Sequence, residues 1–208
     1  ANTSISADNA EPINYRIFKI NLNVTPVTIQ DLTISGGNIT GLGNGGGIWN
    51  RGCLFLTRVD INNCRADNGG ALSNEGTMPA TLDQVFIHNN TAAQVGGGIF
   101  ITGGGAGPAG FLITNSTISH NTAVNGAGVY NNTFDTTTIM NTGIWQNNAT
   151  GDGGGVYNTA GTLVIESSTV MGNTAASDGG GVWSEAMTTL TGVTLSDNCA
   201  GTKGGGFY

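Results

Sequence analysis

"GNGGGIWNRG", residues 43 to 52, sets three consecutive glycines directly before an isoleucine and a tryptophan. Glycine loses more conformational freedom on ordering than any other residue, so three in a row beside two large apolar side chains need a physical reason. The arrangement recurs as "GGALSN" (69–74), "GGGIFI" (96–101), "GAGVYN" (126–131), "GGGVYN" (153–158), "GGGVWS" (179–184) and "GGGFY" (204–208). The aliphatic anchor after the glycines is Ile48, Leu72, Ile99, Val129, Val156 and Val182, then Phe207, at steps of 24, 27, 30, 27, 26 and 25. A second anchor, apolar-x-x-Asn, falls 11 or 12 residues before the next aliphatic anchor. Its apolar member is Ile61, Ile87, Ile118, Trp145, Val170 and Leu195, and three residues on come Cys64, Asn90, Asn121, Asn148, Asn173 and Asn198. Length therefore varies only between the glycines and the second anchor, where "TGGGAGPAG" (102–110) accounts for the longest step.

A period near 26 without a helical stripe excludes most helical repeats. The stretches "LFLTRVDI" (54–61), "TLDQVFI" (81–87), "FLITNSTI" (111–118), "TLVIESSTV" (162–170) and "TLTGVTL" (189–195) are rich in β-branched and other apolar residues, as strands are. Two or three short strands per repeat describe one turn of a parallel β-helix, with turns stacked at about 4.8 Å. The expected fold is one right-handed parallel β-helix, all-β, of about seven to eight turns over 27–208. It is preceded by an irregular segment, 1–26, holding a first strand, "YRIFKINLNV" (15–24). The glycines then mark a corner repeated in register, and the Asn column Asn90, Asn121, Asn148, Asn173 and Asn198 becomes an amide ladder between turns. A second column, Asn50, Asn74, Asn131 and Asn158, is interrupted by Ile101 and Ser184.

Composition narrows the function. The 208 residues carry a net charge of −7 with only six Lys and Arg, too few clustered cations to displace the counterions of a nucleic acid. No apolar run is long enough for a membrane-spanning helix. The three cysteines, Cys53, Cys64 and Cys199, include no C-x-x-C pair, so zinc is not indicated, and Cys64 and Cys199 read as buried small apolar residues.

"GGGIWN" (45–50) and "STISHNTA" (116–123) together resemble the polymorphic outer-membrane protein repeat first described in chlamydiae, over about 34–208, with "VTIQDLTISGGN" (27–38) resembling an entry turn. That resemblance implies a secreted bacterial β-helix, extracellular or at the cell surface, adhesive or structural, with no catalytic residue.

Candidate chemistry is sparse. "GLGNGG" (41–46) and "GAGPAG" (105–110) match G-x-G-x-x-G, but neither opens a helix, so no cofactor is expected. "GDGGG" lacks the nine-residue period of calcium-binding glycine-aspartate repeats. Four residues before the aliphatic anchor stand Asn44, Asn68, Val95, Asn125, Asp152, Asp178 and Lys203. Asp152 and Asp178 are the best carboxylate pair in the chain; it either holds a calcium ion or forms a solvated turn in which Lys203 offsets Asp178. His88 and His120 share no column with them, and no nucleophile triad can be assembled. The residue after the aliphatic anchor is Trp49, Ser73, Phe100, Tyr130, Tyr157, Trp183 and Tyr208. Alternation points this column outward, where it offers a surface for sugar rings or another protein. The expected function is a non-catalytic structural or adhesive protein outside the cell. The alternative is a carbohydrate-active lyase or hydrolase, or a carbohydrate-binding module. "KGGGFY" (203–208) stops on a bare turn, which predicts either a further domain or end-to-end stacking of copies into a filament.

Overall fold

A computed structural model describes residues 3–6, 15–22, 25–41, 43–103 and 110–208. They form a parallel β-solenoid of about seven turns, and the described residues contain no helix. Each turn from Ile48 to Ala200 has four short strand segments, a strand that bends at a corner counting as two, where the period suggested two or three. One turn runs through Ile48–Asn50, then Leu54–Asn62, then Arg65–Asn68. Leu54–Asn62 serves two faces because it bends at Arg58, which is left-handed with φ 52°. The next turn, Leu72–Asn74, Ala80–Asp83, Phe86–His88 and Thr91–Val95, lies in register upon it. The pairs are Ile48↔Leu72, Leu54↔Ala80, Ile61↔Ile87 and Arg65↔Thr91.

The interior is a stack of like residues, because a coil of constant cross-section offers the same space in each turn. Ile48, Leu72, Ile99, Val129, Val156 and Val182 line one face, and Ile61, Ile87, Ile118, Ile144 and Val170 another; all are essentially inaccessible to water. The fourth face carries only Ala inside: Ala66, Ala92, Ala123, Ala149 and Ala175. Glycine-rich backbone packs against it, leaving no room for more.

Three corners repeat a left-handed residue, and their chemistry differs by what a side chain would meet. One holds Asp31, Arg58, Gln84, Asn115, Asn141 and Ser167; the next holds Asn63, Asn89, His120, Gln146 and Asp197 along with Gly172. A Cβ on Gly172 would have nothing nearer than Gln146 Cγ at 3.6 Å, so non-glycine residues fit there. The third corner is glycine in every turn, from Gly45 to Gly204. At Gly153 (φ 63°) a Cβ would stand 2.7 Å from Tyr157 Cβ and 2.8 Å from Val156 O. The leading glycine of each "GGG" thus needs both the left-handed backbone and the missing side chain.

Two expectations shift. The fifth-turn anchor is Ile144, not Trp145: Ile144 pairs with Ile118 and Val170, and Trp145 points outward. Phe18–Ile20, inside the strand expected at 15–24, pairs with Ile48–Asn50, and Thr3–Ser6, for which no strand was expected, pairs with Leu32–Ser35. Residues 1–2, 7–14, 23–24, 42 and 104–109 lie outside the described residues, and with them parts of the 15–24 strand and of both glycine motifs.

Candidate functional site

The outward column exists as a stripe of rings along the solenoid axis. Phe100 and Tyr130 are tilted with centroids 5.7 Å apart, Tyr130 and Tyr157 stack at 5.2 Å, and Tyr157 and Trp183 stack at 4.1 Å with planes 7° apart. The in-register pairs Phe100↔Tyr130, Tyr130↔Tyr157 and Tyr157↔Trp183 impose this, since strand spacing and ring-stacking distance nearly coincide. Both faces of Tyr157 are therefore covered by stacked rings, and Tyr130 has Tyr157 stacked on one side and Phe100 tilted against the other. Stacking of sugar rings on those faces, one expectation for this column, is not available there. Burial pushes the Tyr157 phenol up to about 12, and the Asp152 charge adds to it, so its hydroxyl stays protonated. Ser73 interrupts the stripe; it is buried and donates to Glu75 Oε1 at 2.8 Å.

The stripe's flanks are charged unequally. Around Trp49 lie Arg16, Lys19 and Arg51, 5.2, 5.0 and 5.5 Å from a ring centroid. Arg16 is held on the corner side by Asn44 O and Gly45 O, and Arg51 follows Trp49 by two residues on the opposite side. Among the described residues Glu75 and Asp67 are the carboxylates near this end; Glu75 accepts from Asn44 Nδ2 at 2.7 Å, and Asp67 accepts from the Gly43 N–H at 3.0 Å. Beside Tyr157 and Trp183 the sign reverses: Asp152 and Glu185 both act on the Tyr157 phenol, and Asp178 follows Asp152 one turn on. Lys203 is the cation there, 5.2 Å from the Tyr208 centroid. Arg51 was not among the residues expected at this surface, although alternation two residues beyond Trp49 is a signal that could have found it; Arg16 and Lys19 come from the first turn, which the repeat motif does not cover.

The carboxylate pair is brought together as expected, and its geometry is that of a turn-to-turn ladder. Asp152 Oδ1 accepts the Asp178 N–H at 2.9 Å, as Asn125 Oδ1 accepts the Asp152 N–H at 2.8 Å. Asp178 Oδ1 accepts the Thr202 hydroxyl. Aspartate here does what asparagine does in neighbouring turns, tying backbone across the stack. Among the described residues no group of three or more His, Cys, Asp or Glu is placed to hold a metal ion.

The amide ladder is Asn90, Asn121, Asn147, Asn173 and Asn198. Asn147, not Asn148, is the rung between Asn121 and Asn173: it is buried, while Asn148 is exposed on the strand Asn148–Ala149. Rungs connect Nδ2 to Oδ1 at 3.0 Å throughout, from Asn90→Asn121 to Asn173→Asn198. The signal that locates the rung was in the sequence. Each rung precedes by two a buried or half-buried alanine, Ala92, Ala123, Ala149, Ala175 and Ala200, and only Asn147 stands two before Ala149. Cys64 replaces the first rung; its N–H donates to Asn90 Oδ1 at 2.9 Å. The second column forms two ladders, Asn50→Asn74 at 2.6 Å and Asn131→Asn158 at 2.7 Å, the latter continued by Ser184 Oγ at 3.0 Å.

His88 Nε2 donates to Asp60 Oδ1 at 3.0 Å, and its Nδ1 accepts from Asn89 Nδ2 at 2.9 Å. Ser119 lies beside His88 in the next turn, but it is fully enclosed and both imidazole nitrogens are already engaged. This cluster carries no accessible nucleophile. His120 packs edge-on against Trp145 at 5.3 Å.

The cysteines are all free. Cys64 is enclosed, and burial pushes its thiol up to about 11. Cys199, expected to be buried, is exposed, because it occupies the outward column of Arg65, Thr91 and Thr174. Alkylation near pH 8 is expected to modify Cys199 within minutes and to leave Cys64 unmodified until the chain is denatured, as mass spectrometry of the modified peptides will show. Rapid labelling of Cys64 in the folded protein would contradict the burial of the first rung.

Among the described residues no helix is long and apolar enough to cross a membrane. No protein-family model, curated protein or solved structure matches this chain.

Proposed function

We propose that this chain is a non-catalytic structural or adhesive β-solenoid acting outside the cell, with the aromatic stripe as its contact surface. The observation that carries the reading is the stripe itself: Phe100, Tyr130, Tyr157 and Trp183 form an unbroken row. Contiguous outward aromatic surface of this kind marks interaction sites. Two further features support it. The column carboxylates Asp152 and Asp178 serve the ladder instead of converging on a cleft. The glycine and asparagine motifs resemble the repeat of secreted bacterial β-helix proteins.

Two measurements test the reading. Incubation with pectin, alginate and related polymers is expected to yield no new reducing ends and no unsaturated products. Turnover that disappears in Asp152→Asn would establish the carbohydrate-active alternative. Adhesion of the folded protein to the surface it recognises is expected to fall at least tenfold in Tyr157→Ser. Ser73 already occupies the same column, so this variant keeps the fold.

A further inference from the structure

The stripe and its flanks point to their own partner: we infer that two copies of this chain pair face to face and antiparallel through the aromatic stripe, so that the adhesion is homophilic. The inference rests on the stripe being the contact surface, and it adds what that surface contacts.

The column in register runs Lys19, Trp49, Ser73, Phe100, Tyr130, Tyr157 and Trp183, with Tyr208 following as Phe207 pairs with Val182. Its midpoint falls between Phe100 and Tyr130. A two-fold axis there, lying in the interface along the strand direction, reverses the solenoid axis while keeping each flank against the same flank. Trp49 then meets Trp183 of the other copy, and Phe100 meets Tyr130. Tyr157 falls opposite the buried Ser73 and the Glu75 carboxylate that accepts the Ser73 hydroxyl. Lys19 comes over Tyr208.

The flanks select this orientation. Among the described residues one end of the face carries three cations, Arg16, Lys19 and Arg51, against two carboxylates, Glu75 and Asp67, the latter held on Gly43 beside Arg16. The other carries three carboxylates, Asp152, Asp178 and Glu185, with one cation, Lys203. In the antiparallel pair the corner-side Arg16 approaches Asp178 and the opposite-side Arg51 approaches Glu185, twice over by symmetry. A parallel pair places cations on cations and carboxylates on carboxylates. The interface is isologous and closed, so it stops at two copies. It is also narrow, one strand-width of a solenoid, which places it among small, weak interfaces whose strength depends on charge and salt.

Sedimentation velocity of the folded chain, with no polymer present, tests the pairing separately from adhesion to any other surface. At low salt and a concentration on the order of 100 μM, as small interfaces require, the expected species is a dimer that dissociates in about 0.5 M NaCl. Arg51→Glu and Glu185→Arg are each expected to weaken the dimer at least tenfold, with unchanged circular dichroism. Mixing these two variants restores it, because both symmetry-related contacts again join opposite charges, and the double variant Arg51→Glu/Glu185→Arg restores it alone. A monomer at every concentration in low salt would overturn the pairing, as would open-ended polymers or a dimer indifferent to both charge reversals. Adhesion to a foreign surface by a strictly monomeric chain would leave the adhesive reading standing and remove only the homophilic one.

Discussion

Asn147→Ala is expected to lower stability by about 3 to 5 kcal/mol and Tm by on the order of 10 °C, while Asn148→Ala stays within about 0.5 kcal/mol. The Asn147 amide donates to Ile118 O and to Asn173 Oδ1, both at 3.0 Å. Its carbonyl oxygen accepts both the backbone N–H and the side-chain amide of Asn121, again at 3.0 Å. Alanine removes these four bonds at once, and it strands partners that no water can reach, since Asn121 and Asn173 are fully buried. An unmade bond to a buried group costs more than the bond itself contributes, because desolvation is not repaid. Asn148 lies one residue on, exposed, where alanine loses little. Thermal unfolding followed by circular dichroism compares the two; equal shifts would mean that the ladder does not hold the turns together.

Gly153→Asn is expected to cost about 3 kcal/mol or more, while Gly172→Asn stays within about 0.5 kcal/mol, although the two glycines have the same φ of 63°. Asparagine tolerates the left-handed backbone, so that conformation alone does not separate them. The separation comes from space. At Gly172 the column already accepts Asn63, Asn89, His120 and Gln146. At Gly153 the added Cβ collides with Tyr157 Cβ and Val156 O, so relief requires moving the strand that carries the stripe. Gly153→Asn should therefore also loosen the Tyr157–Trp183 stack, visible as a change in near-ultraviolet circular dichroism that Gly172→Asn does not produce. Similar melting temperatures for the two variants would refute the crowding at this corner.

The parallel coil, its period and its inner stacks were legible in the amino-acid sequence, because a solenoid repeats one local problem and solves it with the same residue types each time. The glycine corner, the aliphatic anchors, the outward ring column and the adjacency of Asp152 and Asp178 all follow from register alone. Where two neighbouring residues could each fit the repeat, the interval between the two apolar anchors did not decide. At "IWQNN" (144–148) the motif admits either Trp145 with Asn148 or Ile144 with Asn147. The alanine two residues beyond each rung points to Asn147, and the tertiary structure supplies the reason, since Ile144 fits the isoleucine stack inside the coil and an indole does not. Cys199 reads as a core residue by its type, but its strand points it to solvent. The uneven charge along the stripe was hidden more deeply. Arg16 and Lys19 reach Trp49 across a turn boundary, and Asp152 and Glu185 converge on Tyr157 from different turns. Sequence determines which residues share a column; which columns and turns combine into one face depends on how the coil closes, and that is set by packing between residues about 26 positions apart.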